Sequence, residues 1–252
     1  GHGIAVVGED HMGHGQSIGE NGIQGYFHGG WQTAVEDSYQ LLLNTQSSYP
    51  GVPYILLGHS MGSFVARAYS VKYGNEIDGA VYCGTAGPNP AAGAGIFLTK
   101  LITKIKGDHH RSKLIDKIAF GAYNSKFEKR TAFDWLTRDN EEVDKYIADD
   151  LCGFLFTANG YRDLMALLAF VSSKEWFEGL DKKLPVLVIA GAMDPVGGYG
   201  KGIDTVCDKL YKAGKDNITK IIYPDARHEI LNEKAYFDAV VKDVANFVYK
   251  NI

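Results

Sequence analysis

The reading turns on Pro53-Tyr54-Ile55-Leu56-Leu57-Gly58-His59-Ser60-Met61-Gly62-Ser63-Phe64-Val65. Tyr54 to Leu57 is a continuous apolar run introduced by Pro50-Gly51 and Pro53, the mark of a buried strand. Beyond Gly62, the residues Phe64, Val65, Ala68 and Tyr69 recur at helical spacing, so a helix is expected from Ser60 to about Tyr73. Gly58-x-Ser60-x-Gly62 then compresses a strand-to-helix turn onto one serine. Side chains two residues either side would collide with strand and helix, so glycine is expected at both places. The Ser60 hydroxyl projects at a helix N-terminus, where partial positive charge and free N–H groups suit a developing oxyanion. The Met61 N–H is one such donor.

The same rhythm extends outward. Ile4 to Val7 reads as a buried strand followed by the polar, glycine-rich stretch Glu9 to Gly30. Trp31, Ala34, Val35, Tyr39 and Leu42 make one stripe of a helix ending near Ser47. Ala80 to Cys83 is a strand, as are Pro185 to Ala190 and Ile218 to Tyr223; helices are expected from Ile203 to Ala213 and from Glu233 to Tyr249. Strands apolar at every residue, alternating with amphipathic helices, make a mostly parallel sheet flanked by helices. Between Gly87 and Leu184 no strand signal appears. Four helical patterns fill that stretch: Ile96 to Ile105, Ser112 to Phe120, Glu141 to Ala148 and Tyr161 to Ser172. Residues 1–87 and 180–252 are therefore read as an α/β core, and 88–179 as a helical cap inserted into it.

Bulk properties narrow the function classes. The 252 residues carry 26 basic and 30 acidic side chains, a net charge of −4. That balance argues against a nucleic-acid partner, which would demand a basic face. No apolar run approaches the ~20 residues of a membrane span, and no signal peptide is visible. Three widely spaced cysteines, Cys83, Cys152 and Cys207, suit reduced thiols and a cytoplasmic location better than a disulfide framework. His11 and His14, and the cluster Asp108-His109-His110, do not supply the converging ligands zinc needs. Neither a metal nor a cofactor is expected.

A serine hydroxyl needs a base, and the base an orienting acid. Of eight histidines, only His228 lies between the last strand and the last helix, in Tyr223-Pro224-Asp225-Ala226-Arg227-His228-Glu229. Asp194, in Gly191-Ala192-Met193-Asp194-Pro195, follows a strand and shares the sheet rim with Ser60. Asp225 and Glu229 are the rival acids.

With these residues in place the chain resembles the α/β-hydrolases, in particular their monoacylglycerol lipase and lysophospholipase branch, the serine-aminopeptidase-like hydrolases. Asp10-His11-Met12-Gly13-His14-Gly15-Gln16-Ser17 resembles a loop of that family, with Met12 where the family has arginine. Gly58 to Gly62 matches the nucleophile elbow; Ala190 to Val196 resembles the acid loop; Ala226 to Glu233 matches the histidine loop. In the cap, Trp135 to Asp139 and Val143 to Tyr146 resemble bacterial members.

The resemblance implies an α/β-hydrolase fold with a catalytic triad of Ser60, Asp194 and His228. The implied activity is a serine esterase or lipase acting on monoacylglycerols, lysophospholipids or simple acyl esters. His59, Phe97, Phe154, Phe156 and Leu167 are the candidate substrate contacts. It also implies strands before Ile4 that carry a second oxyanion donor and that this sequence does not contain. The expectation is an open sheet edge that a homo-oligomer would cover. Two alternatives stand: an amidase or peptidase on the same scaffold, or a catalytically impaired binding protein.

Overall fold

A computed structural model describes residues 3–20 and 22–252. In chain order the elements are α1 (Trp31–Ser48), β1 (Ile55–His59), α2 (Met61–Lys72) and β2 (Gly79–Cys83), then a helical stretch. That stretch holds α3 (Ala92–Lys106), α4 (Lys113–Phe120), α5 (Asn140–Ala148), α6 (Ala158–Val171) and α7 (Lys174–Gly179). The sheet resumes with β3 (Val186–Gly191), α8 (Lys201–Lys212), β4 (Ile218–Tyr223) and α9 (Phe237–Lys250).

The strands are parallel and lie in the order β1-β2-β3-β4, with Leu57 opposite Val81 and Val81 opposite Leu187. Each crossover steps one strand in the same direction. Crossovers share one hand, so α2, α6 and α8 collect on one face of the sheet and α9 returns along the other. Side chains divide with period two. Ala80, Tyr82, Val186, Val188 and Ala190 enter the core with α1, α2, α6 and α8. Val81, Cys83, Leu187 and Ile189 pack with Val240 and Phe247 of α9. Burial on both faces is why these strands read as unbroken apolar runs.

The helical stretch is tied into the core through α2. Arg67 is fully buried. Its Nη1 donates to Thr85 Oγ1 (3.2 Å) and Ala86 O (3.0 Å), and its Nη2 to Val171 O (2.5 Å). The guanidinium lies 4.1 Å from the Trp176 ring, whose indole N–H donates to Arg67 O. Burial pushes the Arg67 pKa down to about 9, which still leaves it charged at neutral pH.

Two expectations are corrected. Ile4 to Val7 forms no strand: it is unpaired with β1, and Val6 is 90% exposed. A β-branched run marks a strand only where a neighbour takes up its N–H and C=O groups, and among the described residues none lies beside it. The sheet is accordingly open at β1, where Leu57 is exposed. Second, α7 was not expected. It spans six residues, too few for a helical period to show, and is started by Ser173 Oγ accepting from Trp176 N.

Candidate active site

The turn after β1 holds Ser60 at φ 54°, ψ −122°, a left-handed conformation that costs a non-glycine residue about 1–3 kcal/mol. Its backbone is fixed at both ends: Ser60 N donates to Cys83 O (3.0 Å), and Ser60 O accepts from Ser63 N (2.9 Å) and Ser63 Oγ (2.5 Å). Although Ser60 is the N-cap of α2, its hydroxyl makes no capping bond. The Oγ is thus not spent on the helix. The first N–H groups of α2, beginning at Met61, have no acceptor within the helix.

The elbow glycines are not equivalent. A Cβ on Gly58 would lie 2.5 Å from the carbonyl carbon of Gly62 and 2.9 Å from Ala66 Cβ. A Cβ on Gly62 would meet nothing outside its own helix within 4 Å. Strand and helix approach closely at Gly58 alone, so the expectation of a steric need at Gly62 is not met.

Asp194 leaves the end of β3 into a turn closed by Tyr199 N donating to Asp194 O (2.8 Å) and Gly198 N to Pro195 O (3.1 Å). The carboxylate is fully buried, and Oδ1 accepts from Val196 N (2.8 Å) and from His228 Nδ1 (3.0 Å). A carboxylate accepts only, so the proton sits on Nδ1 and a neutral ring keeps its lone pair on Nε2. The rival acids stand elsewhere. Asp225 is an exposed turn residue at φ 59°, and Glu229 accepts from Asn232 Nδ2. The histidine loop reaches the acid because β3 ends in glycine: a Cβ on Gly191 would lie 2.5 Å from the Ala226 carbonyl carbon.

His228 is 2% exposed and has two rings beside it. One is His59, centroid to centroid 4.7 Å, with its Nε2 3.2 Å from His228 O. Burial, and next the neighbouring His228, lower the His59 pKa to about 4, so at neutral pH it is an uncharged brace. The second ring is Trp135, at 5.1 Å, in contact with Tyr123, which in turn meets Phe120. Burial, and then the charge of Asp194, push the Tyr123 hydroxyl up to about 12. Among the described residues no hydrogen bond joins Ser60 Oγ to His228; such bonds commonly tighten only around substrate.

The sequence profile of the family described as Serine aminopeptidase, S33 matches residues 1–235. The chain belongs to this family. Monoglyceride lipase of Homo sapiens is 29% identical over 151 residues, which are 59% of this chain and 43% of that protein. The chain thus matches less than half the length of that relative. Monoacylglycerol lipase of Mycolicibacterium smegmatis is 26% identical across 99% of this chain and 80% of its own. A thermostable carboxyl esterase of Bacillus coagulans, solved with glycerol, superposes with TM-score 0.90 at 29% identity, over 96% of this chain and 79% of the other. The S33 chain therefore has an α/β-hydrolase fold of the monoacylglycerol-lipase-like branch.

The candidate substrate contacts of this S33 chain scatter. Leu167 is 2% exposed inside the main core, whereas Phe97 on α3 is 72% exposed. Phe154 and Phe156 pack with His14 and Phe27, joining the helical stretch to the loop before α1. His59 touches His228. Trp135, Tyr123 and Glu233 do lie around His228; Trp135 and Glu233 belong to stretches that resemble the family, but no place at the histidine was expected for any of the three. They come from segments whose patterning reports helix or loop and says nothing of which side faces the serine. No helix among the described residues is long and apolar enough to cross a membrane.

Proposed function

We propose that the protein is a serine carboxylic-ester hydrolase, working through an acyl-enzyme on Ser60. What carries the reading is the buried Asp194–His228 hydrogen bond lying on the same sheet rim as a serine held in a strained, uncapped turn. Ser60 Oγ attacks the ester carbonyl carbon while His228 Nε2 takes its proton. The oxyanion meets the N–H groups that open α2, Met61 first. The tetrahedral adduct expels the alcohol, which leaves with the proton from His228. Water then attacks the acyl-enzyme, His228 takes one of its protons, and the carboxylic acid departs as Ser60 regains its hydrogen. Asp194 keeps the imidazole in one tautomer and stabilises the imidazolium.

Residues 88–179 act as a cap above this site, and its substrates are monoacylglycerols, lysophospholipids or simple acyl esters. The relatives named as monoglyceride lipases support that class. Turnover of p-nitrophenyl esters across acyl lengths is the test, expected in wild type and abolished in Ser60→Ala. Equal turnover by the two proteins would sink the proposal. The family's description as aminopeptidases favours one second reading, hydrolysis of amides. Faster cleavage of aminoacyl anilides than of esters would select it.

A further inference from the structure

The mechanism leaves the buried carboxylates Asp134, Asp163 and Glu233 unused, and Glu233 lies five residues from His228. Glu233 is 2% exposed. Its Oε1 accepts from Arg227 N (3.0 Å) and Arg138 N (3.1 Å), and its Oε2 from Arg138 Nε (3.0 Å). Its own carbonyl accepts from Tyr236 N (2.8 Å) and Phe237 N (2.9 Å), at the start of α9. A single residue thus joins three things: a core helix, the peptide N–H immediately before His228, and the helical stretch at Arg138.

We propose that Glu233 is the positioning residue for His228, setting where the imidazole stands by holding the Arg227 N–H. The proposal rests on the reading of His228 as the general base. The loop is also held on its sheet side, by Met193 N donating to Ala226 O (2.9 Å) and by His59 Nε2 at 3.2 Å from His228 O, and on its other side by bonds to residues 135 and 136. The latter lie in the helical stretch: His228 N reaches Trp135 O at 3.4 Å, and Glu229 N donates to Leu136 O at 2.7 Å. Residues 135–138 are themselves positioned by the same carboxylate. They are joined to the histidine loop again through Thr137 Oγ1, which donates to Asn232 O (3.0 Å), and through Arg227, whose Nη1 donates to Thr137 O (3.3 Å) and Asp134 O and whose Nη2 pairs with Glu128. Glu233 closes residues 227–233 into a ring and fastens the Trp135 wall to it. The imidazole therefore keeps one face on Trp135 and its Nδ1 on Asp194. The load falls on two backbone N–H groups, so what matters is an acceptor oxygen at full side-chain length. The charge serves only the partly exposed Arg138.

That distinction sets the experiment. Glu233→Gln keeps an oxygen at the same reach and gives up the charge; Glu233→Asp keeps the charge and falls a methylene short. Ester turnover by wild type, with none in Ser60→Ala, first secures the underlying reading. Glu233→Ala and Glu233→Asp are then expected to lose about 10²-fold in kcat, the scale of an ångström-level misplacement, with KM near wild type. Glu233→Gln is expected to stay within about threefold of wild type in both constants. All variants are assayed well below their own melting temperatures. A brace that serves stability alone would leave kcat unmoved there, and that result overturns the proposal. So would a loss confined to KM, or Glu233→Asp matching or exceeding Glu233→Gln. If Glu233→Ala does not fold, the order of the Gln and Asp variants still decides. Turnover that survives Ser60→Ala would overturn the hydrolase reading and this proposal together. Ser60-dependent turnover indifferent to Glu233 would overturn this proposal alone.

Discussion

Gly58→Ala is the substitution for which the structure makes its sharpest demand. The added methyl would lie far inside van der Waals contact with the carbonyl of Gly62, 2.5 Å from its carbon and 2.9 Å from Ala66 Cβ. The obstacle is the backbone of α2, not the end of a flexible side chain, so rotamer changes cannot relieve it. Either α2 moves off β1 or the turn opens. Overpacking costs typically 1–3 kcal/mol, and a backbone obstacle puts this case near the top, about 3 kcal/mol. For a chain of this size that lowers Tm by about 6–12 °C. Because Ser60 lies inside the distorted turn, kcat for ester turnover should drop by about 10²-fold even where the protein is fully folded. Gly62→Ala is the control. Its methyl meets nothing outside the helix within 4 Å, and replacing a helical glycine by alanine contributes up to about 1 kcal/mol of stability. Differential scanning calorimetry on both variants, with turnover measured at 25 °C, separates them. Gly58→Ala with the melting temperature and kcat of wild type would refute the packing argument, as would an equal loss in Gly62→Ala.

Three further outcomes are expected. Ser60→Gly should unfold at higher denaturant than Ser60→Ala, by about 1 kcal/mol, because only glycine adopts φ 54°, ψ −122° without strain; equal urea midpoints would count against strain at the elbow. Arg67→Ala should cost about 3–5 kcal/mol by urea unfolding, since it opens a cavity under Trp176 and leaves Ala86 O and Val171 O without their donor. Arg67→Met, which fills the space, should cost less, and a loss below about 1 kcal/mol in the alanine variant would contradict the role given to the guanidinium. Lastly, the His59 imidazole is charged below about 6.5 in the unfolded chain but only below about 4 when folded. Between those values the unfolded state binds more protons, so stability falls as pH falls, by about 3 kcal/mol at most from this group. Unfolding curves at pH 7 and 4.5 should show a shallower loss in His59→Gln; an identical loss would remove His59 as a source, leaving His11 and His14, whose pKa values burial also lowers.

The parts of this molecule that were legible in the sequence share one property: each is decided within a few residues. β2 and β3 are buried on both faces, so their apolar runs are unbroken, and α8 and α9 carry plain stripes. Ser60, Asp194 and His228 each stand just beyond a strand's C-terminal end, and a parallel sheet carries all such ends to one rim. Ile4 to Val7 shows the limit of the same logic. Its composition is that of a strand, but a ladder takes two strands, and a run of four residues cannot report whether a neighbour is present.

What could not be read was the second side of the site. Glu233 and Arg138 are 95 positions apart, and Arg227 and Glu128 are 99 apart, yet these pairs decide how the histidine loop is held. In sequence Glu233 reads as the first residue of a helix and Arg138 as part of a stretch like the family's cap; nothing in either segment's periodicity marks them as partners, or Glu233 as buried. The difference is physical. Hydrophobic pattern encodes which face of an element is inside, and that face is a property of the element alone. A hydrogen-bonded carboxylate encodes a meeting of two elements, and its burial becomes affordable only once both are in place. For this protein that meeting joins the helical stretch to the histidine, so a change in residues 128–138 should be felt at His228 before it is felt in the sheet.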